Sequence, residues 1–179
     1  ICSRDWSSDV CSSDLSDLIL GAGPVNFATA ANNGAWVNMA EAEAMNVLIV
    51  TGVGTAGEDP VITLEQAKDA SGTGAKALTL RYVAYKIGAT AINAAADVWV
   101  EVTSISRDNP AASYTNTDGA ENEFIVLVYV LAQDLDINNG FKFIRGKVAD
   151  VGSGAQLGVI LYVPSGRHYK GKSANSFLN

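Results

Sequence analysis

The sequence predicts an all-β fold, a single jelly-roll-like β-sandwich of about seven or eight strands with little helix. The strongest apolar segments are short, rich in β-branched residues and bounded by Gly, Asn, Asp or Pro. The few helix-forming stretches are too short to make more than a turn or two. With 179 residues, of which 48% are hydrophobic, the chain is long enough to bury one core of its own.

Each predicted strand follows from its residue pattern. Val98–Ile105 alternates apolar and polar residues, which is typical of a strand with two unlike faces. Phe124–Leu131 is apolar throughout, which favours a central strand buried on both faces. Pro164 is expected to stop the last strand because it lacks a backbone N–H. The predicted strands are Asn46–Val53, Val61–Leu64, Leu78–Ile87, Val98–Ile105, Phe124–Leu131, Phe141–Val148 and Gln156–Val163.

Turn and helix signals are sparse. Asn139–Gly140 lies between Leu135 and Phe141 and predicts a hairpin or turn. Met39–Met45 is composed of helix-forming residues, although seven residues make two turns at most. Leu64–Ala70 is a second candidate for a short helix. We therefore expect helix to be a minor part of the fold.

The first fifteen residues resemble a translated sequencing adapter. Codon-by-codon translation of a short-read adapter reproduces Asp5–Asp14. The resemblance indicates an assembled metagenomic sequence whose residues 1–15 are artefactual and whose true N-terminus is unknown. Cys2 and Cys11 both fall in this segment, so their spacing is no evidence for a disulfide or a metal site.

The remaining chain divides into a β-sandwich domain over residues 16–170 and a C-terminal tail over residues 171–179. The tail is polar except for Phe177 and Leu178. We expect it to be flexible, or to act as an arm that docks on a neighbouring molecule.

Charge and hydropathy exclude several classes of function. The net charge is −7 and the pI about 4.6, which disfavours nucleic-acid binding. The longest apolar run, Phe124–Ala132, has nine residues, whereas a membrane span needs roughly 18. No secretory signal pattern is present in the sequence. We therefore expect neither a nucleic-acid nor a membrane partner.

Sequence motifs with chemical potential each have a simpler explanation. Gly52–Gly57 matches G-x-G-x-x-G, but the β-like run after Pro60 replaces the helix that a dinucleotide site needs. Asp134–Gly140 resembles the start of a calcium loop but lacks its glycine and glutamate positions, so a surface turn is favoured. His168 is the only histidine. The sequence thus predicts no enzyme, no catalytic residue, no metal site and no cofactor.

Four residues are candidates for an intersubunit surface: Trp36, Trp99, Tyr162 and Arg167. Aromatic and arginine side chains are enriched where protein surfaces meet. The alternative for the aromatic residues is an ordinary half-buried position in the sandwich. Tyr169 could flank the same surface as Tyr162.

The stretch from Leu18 to Tyr169 resembles a family of small, β-rich virion structural proteins of tailed bacteriophages. Its size and β-rich character are similar to those of head decoration, or cement, proteins. Such proteins carry no catalytic residues that could be transferred to this sequence. The phrases that carry the resemblance are Gly23–Phe27, Trp36–Val37, Gly54–Pro60, Ile62–Ala70, Gly72–Leu78, Asp134–Asp136, Gly140–Phe141, Ala149–Gly152, Ala155–Gly158, Leu161–Tyr162 and Arg167–Tyr169.

The resemblance implies a non-enzymatic virion protein, assembled in the host cytoplasm, that binds the phage capsid or other virion proteins. A homo-oligomer is expected, with a trimer the favoured form because three-fold positions of a shell suit a cyclic oligomer. The alternatives are a tail-, neck- or fibre-associated virion protein and a carbohydrate- or calcium-binding module. In a binding module, Trp99 and the aspartates at 134 and 136 would cluster near one edge.

Overall fold

A computed structural model describes residues 18–40, 42–88, 92 and 98–167, except for the side chain of Arg167. These residues form two antiparallel β-sheets that pack face to face, which confirms the predicted all-β sandwich. Helical structure in the described part is limited to two short 3-10 turns, Ala132–Asp134 and Ile137–Asn139. No helix among the described residues is long and apolar enough to cross a membrane.

Eleven strands are present in the described ranges, and eight of them have three or more residues. The others are two-residue pieces that extend or flank the longer strands. In chain order the strands are β1 (Ile19–Asn26), β2 (Asn32–Asn33), β3 (Val37–Asn38), β4 (Ala42–Thr51), β5 (Ile62–Ala67), β6 (Lys76–Leu78), β7 (Val83–Gly88), β8 (Val100–Glu101), β9 (Glu123–Leu131), β10 (Phe143–Val148) and β11 (Leu157–Arg167).

The strand order is that of a jelly roll. The large sheet runs β1-β11-β4-β9-β7-β8, and the small sheet runs β2-β10-β5-β6. The short strands β2 and β3 pair with different parts of β10. Successive strands cross between the sheets, so β1-β11-β4-β9 faces β2/β3-β10-β5-β6 as in two interleaved Greek keys. The antiparallel pair β7-β8 widens the large sheet beyond β9.

The core lies between the sheets because strand residues alternate between inward and outward positions. In β9, Phe124, Val126 and Val128 are fully buried, whereas the residues between them are only partly buried. Val47 and Ile49 of β4 point into the same interior. The apolar side chains of β5 and β10 close it from the other side.

Tyr162 joins the two sheets from within, which corrects the expectation that it lies at a surface. Its ring is 0% exposed, and burial raises the pKa of its hydroxyl. The hydroxyl donates to the carbonyl of Ala35 at 3.1 Å and accepts from the N–H of Gly146 at 2.9 Å. A Cβ on Gly34 would stand 2.3 Å from the Tyr162 hydroxyl, so the interruption between β2 and β3 requires glycine there.

Both short-helix predictions are wrong. Residues 42–45 belong to β4, and residues 64–67 belong to β5. Intrinsic helix propensity amounts to a few tenths of a kcal/mol per residue, which is about an order of magnitude less than the burial of a large apolar side chain. Met45 is fully buried in the core, and that burial favours the strand.

Strand boundaries also differ from the expectation. Leu78–Ile87 is divided between β6 and β7, which belong to different sheets. Of Val98–Ile105, only Val100–Glu101 pairs as a strand. Strand β11 continues through Pro164, where it pairs with β4, and among the described residues its pairing with β1 ends at Tyr162.

The turn predicted at Asn139–Gly140 is present, and Gly140 adopts φ +83°, a value that favours glycine. It is not a hairpin turn, because the flanking strands β9 and β10 lie in different sheets. The turn instead carries the chain across one end of the sandwich.

Candidate functional site

The outer face of the large sheet is apolar, and this distinguishes it from the outer sheet faces of most sandwiches. In most sandwiches the outward positions of an antiparallel sheet are polar. Here the outward positions of four neighbouring strands carry aliphatic side chains. We call this surface the apolar face; its members are Leu20, Leu48, Val50, Ile125, Leu127, Val159, Leu161 and Val163.

A leucine row forms the centre of the apolar face. Leu20 pairs with Leu161, Leu161 with Leu48, and Leu48 with Leu127. Ala84 of β7 continues the row beside Leu127. Five adjacent strands at about 4.8 Å spacing give this row a width of about 19 Å.

A second aliphatic row lies beside the first. Val159 pairs with Val50, and Val50 pairs with Ile125. The row ends at Lys86 of β7, and the leucine row ends at Glu101 of β8. An apolar centre with charged residues at its margin is the composition of a protein–protein interface.

The apolar face is partly exposed. Leu20 is 57% exposed, and the other seven members are partly buried. Leu157, which lies at the start of β11 beside the face, is 62% exposed. Contiguous apolar surface of this kind marks interaction sites on soluble proteins. The all-apolar sequence of β9 predicts burial on both faces, and within the described chain only one of them is covered by the core.

The outer face of the small sheet has the opposite character. Glu65 of β5 forms ion pairs with Arg145 at 2.7 Å and with Lys147 at 2.8 Å, both on β10. The Arg145 guanidinium also lies 4.4 Å from the ring centroid of Trp36. Charged groups thus neutralise one another on this face and keep it hydrated.

The predicted interface residues are not brought together. Trp99, directly before β8, is 49% exposed at the edge of the large sheet. Trp36 is half-buried beneath Arg145 on the small sheet, and Tyr162 is in the interior. The backbone of Arg167 pairs with Ala42 at the end of β11, but its side chain lies outside the described residues. His168 and Tyr169 also lie outside the described residues.

Sequence reasoning missed Leu48, Leu127 and Leu161, which form the centre of the apolar face. The available signal was the lack of alternation in β4 and β9, where both strand faces read as apolar. Aromatic residues drew attention instead because they are the usual interface anchors.

The glycine-rich segment Gly52–Gly57 is a loop between β4 and β5, as its simpler explanation predicts. The loop is held by Glu58, whose carboxylate accepts from the N–H groups of Ser153 at 3.0 Å and Gly154 at 2.6 Å. These hydrogen bonds lower the pKa of Glu58 below its ordinary value. The Glu58 carboxylate is therefore engaged by N–H groups of the chain's own backbone.

The aspartates at 134 and 136 are engaged by cationic side chains. Asp134 pairs with Arg107 at 3.0 Å and accepts from the N–H of Leu131 at 3.1 Å. Asp136 pairs with Lys76, and this hydrogen bond lowers the pKa of the Asp136 carboxyl. Among the described residues no group of three or more His, Cys, Asp or Glu side chains could hold a metal ion.

Comparisons of the chain with protein-family models, with curated proteins and with solved structures found no match.

Proposed function

We propose that this chain is a non-enzymatic structural protein of a tailed-phage virion, a capsid decoration protein that stabilises the head. The observation that carries the proposal is the apolar face on a jelly-roll sandwich. Jelly rolls occur in viral capsid proteins but also in lectins and cupins, so the fold alone does not decide. An uncharged sheet face about 19 Å wide is a surface built for another protein.

The occupant of the apolar face in this proposal is a neighbouring copy of the same chain. In a cyclic trimer the apolar face of one copy contacts a different surface of the next copy. The leucine row is uncharged along its length, so covering it leaves no unpaired charge there. The row would form the centre of an interface, with Lys86 and Glu101 at the rim. We favour a trimer, which matches a three-fold position of an icosahedral shell.

The remaining surface would contact capsid protein. Each contact can be weak, because many copies on one shell act together. The net charge of −7 disfavours attraction to packaged DNA and fits a position on the outside of the head. The protein would be assembled in the host cytoplasm and found in the virion.

The test is the solution mass of the full chain, measured by light scattering after size exclusion, with negative-stain images of the same fraction. The wild type is expected at three times the 18.7 kDa chain mass. Leu127→Glu places a charge in the middle of the leucine row and is expected to give a folded monomer. Desolvating one carboxylate costs several kcal/mol, which weakens an association by orders of magnitude.

Ile137→Glu is the matched control. Ile137 is 57% exposed in a 3-10 turn and belongs to neither sheet, so its substitution should leave the mass unchanged. Rings or tubes in the images would move the protein to the tail or neck of the virion. A wild-type monomer from micromolar to millimolar concentration would contradict self-association through the apolar face.

A further inference from the structure

A cleft of about 290 Å³ lies at one end of the large sheet, beside the apolar face. Its lining includes Tyr129 of β9, Tyr82 just before β7, Glu101 of β8 and Arg107 of the following loop. The cleft therefore combines apolar and aromatic surface with charged groups.

Two tyrosine rings give the cleft apolar walls with a defined geometry. The rings of Tyr82 and Tyr129 meet edge to face, with centroids 6.2 Å apart and an interplanar angle of 83°. The Tyr82 side chain is 38% exposed. The exposed indole of Trp99 belongs to the same edge segment as Glu101. Flat aromatic surface is thus available to a ligand at this end of the sheet.

The arginines of the cleft are fixed before any ligand arrives. Asp134, only 6% exposed, pairs with Arg107 at 3.0 Å and lies 3.6 Å from Nε of Arg81. Arg81 also donates from Nη1 to the carbonyl of Arg107 at 3.2 Å. Both guanidinium groups consequently have restricted orientations, which lowers the entropic cost of binding a ligand.

Several polar atoms of the cleft make no hydrogen bond within the described chain. Nε of Arg81 is buried and makes no hydrogen bond there. The Glu101 carboxylate forms no hydrogen bond or ion pair with another described residue, and neither do the hydroxyls of Tyr82 and Tyr129. The cleft thus offers donors, a carboxylate acceptor and aromatic faces together.

We propose that this cleft binds a neutral saccharide. The apolar face of a pyranose ring stacks on tyrosine, while neighbouring hydroxyls donate to Glu101 and accept from Arg107. The positive charges of the two arginines, Arg81 and Arg107, are balanced by the negative charges of Asp134 and Glu101. The cleft therefore has no unbalanced charge that could pair with a charged ligand. A volume of about 290 Å³ is at the lower end for small-molecule sites and suits one or two sugar rings.

The saccharide site does not rest on the virion role and goes beyond it. Because Tyr129 and Ala84 lie in the outward rows of the large sheet, the cleft adjoins the apolar face. Assembly through that face would leave the cleft at the margin of the interface.

The experiment is saturation-transfer NMR of the full chain with maltotriose, cellotriose, chitotriose and trigalacturonate at millimolar concentration. At least one neutral trisaccharide is expected to bind saturably. Glu101→Gln and Tyr82→Leu are each expected to weaken that binding by about tenfold, the equivalent of one good hydrogen bond or ring contact. Circular dichroism of each variant verifies that the sandwich is intact.

Glu121→Gln serves as the matched control, because Glu121 is an exposed carboxylate outside the cleft and its loss should leave binding unchanged. Absence of binding by all three neutral sugars overturns the proposal. Binding that survives both cleft variants places the sugar elsewhere and overturns it as well. Preference for trigalacturonate overturns the assignment to a neutral ligand.

Discussion

The outward faces of the two sheets obey the same alternation of side chains but carry opposite chemistry. On the small sheet, Glu65, Arg145 and Lys147 form a network of ion pairs at 2.7–2.8 Å. On the large sheet, the corresponding positions are aliphatic from β1 to β9, with Leu48 and Leu127 at the centre. Because both sheets share one core, the requirements of folding do not explain the difference.

The comparison supports the proposal that the two faces meet different surroundings. Charged pairs on an exposed sheet stabilise little but keep the sheet soluble and prevent sheet-to-sheet association. Aliphatic side chains on a sheet surface have the opposite effect, since removing them from water is favourable by about 25 cal/mol per Å². The small sheet is thus suited to water, and the large sheet fits the self-association that we propose.

The largest effect is expected where the two sheets are joined. Tyr162→Phe removes the hydroxyl that bridges Ala35 and Gly146, and it leaves an N–H and a carbonyl unpaired between the sheets. We expect a loss of about 2 kcal/mol in the free energy of unfolding, the cost of unpaired buried polar groups. Urea denaturation of the wild type and of the variant measures this difference in the free energy of unfolding.

The matched control is Tyr82→Phe, which removes an exposed hydroxyl without a described partner and should leave stability nearly unchanged. Equal effects of the two substitutions would show that the sheets are not tied by the Tyr162 hydroxyl. The two outer faces could then not be treated as opposite sides of one rigid sandwich joined through Tyr162.

A smaller effect is expected on the charged face. Burial alone would raise the pKa of Glu65, but hydrogen bonds from Lys147 and Arg145 outweigh it and lower the pKa below its ordinary value. A lowered folded-state pKa stabilises the protein above the unfolded-state value, and this stabilisation disappears as the pH falls through the folded-state value. Glu65→Gln should therefore cost about 1 kcal/mol at neutral pH and less in acid.

Urea denaturation at neutral pH and near pH 3 separates the two conditions, the lower pH lying below the ordinary pKa of a glutamate, about 4.3. Glu121→Gln, which removes an exposed carboxylate, provides the baseline for any change in overall charge. A difference between Glu65→Gln and the wild type that stays constant with pH would mean that the ion pairs contribute nothing.

The smallest effect on the isolated subunit is expected from the apolar face itself. Leu48→Asn exchanges a partly exposed leucine for a polar residue, and in a dilute monomer we expect a change within about 0.5 kcal/mol. At high protein concentration the wild type should gain stability from association, whereas the variant should not. Thermal denaturation over a concentration series distinguishes the two.

Val47→Ala, at the neighbouring inward position, is the reference for a core residue. Val47 is 0% exposed, so this substitution should destabilise the protein at every concentration. A wild type whose melting temperature is independent of concentration would remove the distinction between the two outer faces.

The fold was predictable from sequence where strand patterns are strong and isolated. Phe124–Leu131, an uninterrupted apolar run, corresponds closely to β9. Phe141–Val148, in which Arg145 and Lys147 alternate with buried positions, corresponds closely to β10. Met39–Met45 was not predictable, since its local helix propensity is overridden by burial of Met45. The continuation of β11 through Pro164 depends on which neighbour lies on each side, and sequence does not contain that information.

The apolar face was only partly predictable. The sequence of β9 indicates burial on both faces, but a single strand does not reveal that Leu20, Leu48 and Leu161 share one row with Leu127. Tyr162 shows the converse difficulty. Its burial requires Gly21 and Gly34, which are distant in sequence and at which a Cβ would stand 2.3 Å from the Tyr162 ring and hydroxyl respectively.

The position of β11 has a consequence for when the molecule becomes competent to associate. This strand lies between β1 and β4, so Ile19 pairs with Tyr162 from the far end of the described chain. A nascent chain that lacks β11 has no leucine row, because Leu161 supplies the link between Leu20 and Leu48. Pairings this distant in sequence form slowly. Under the proposed self-association, a chain is therefore expected to become competent to associate only after β11 has been synthesised and has paired with β1 and β4.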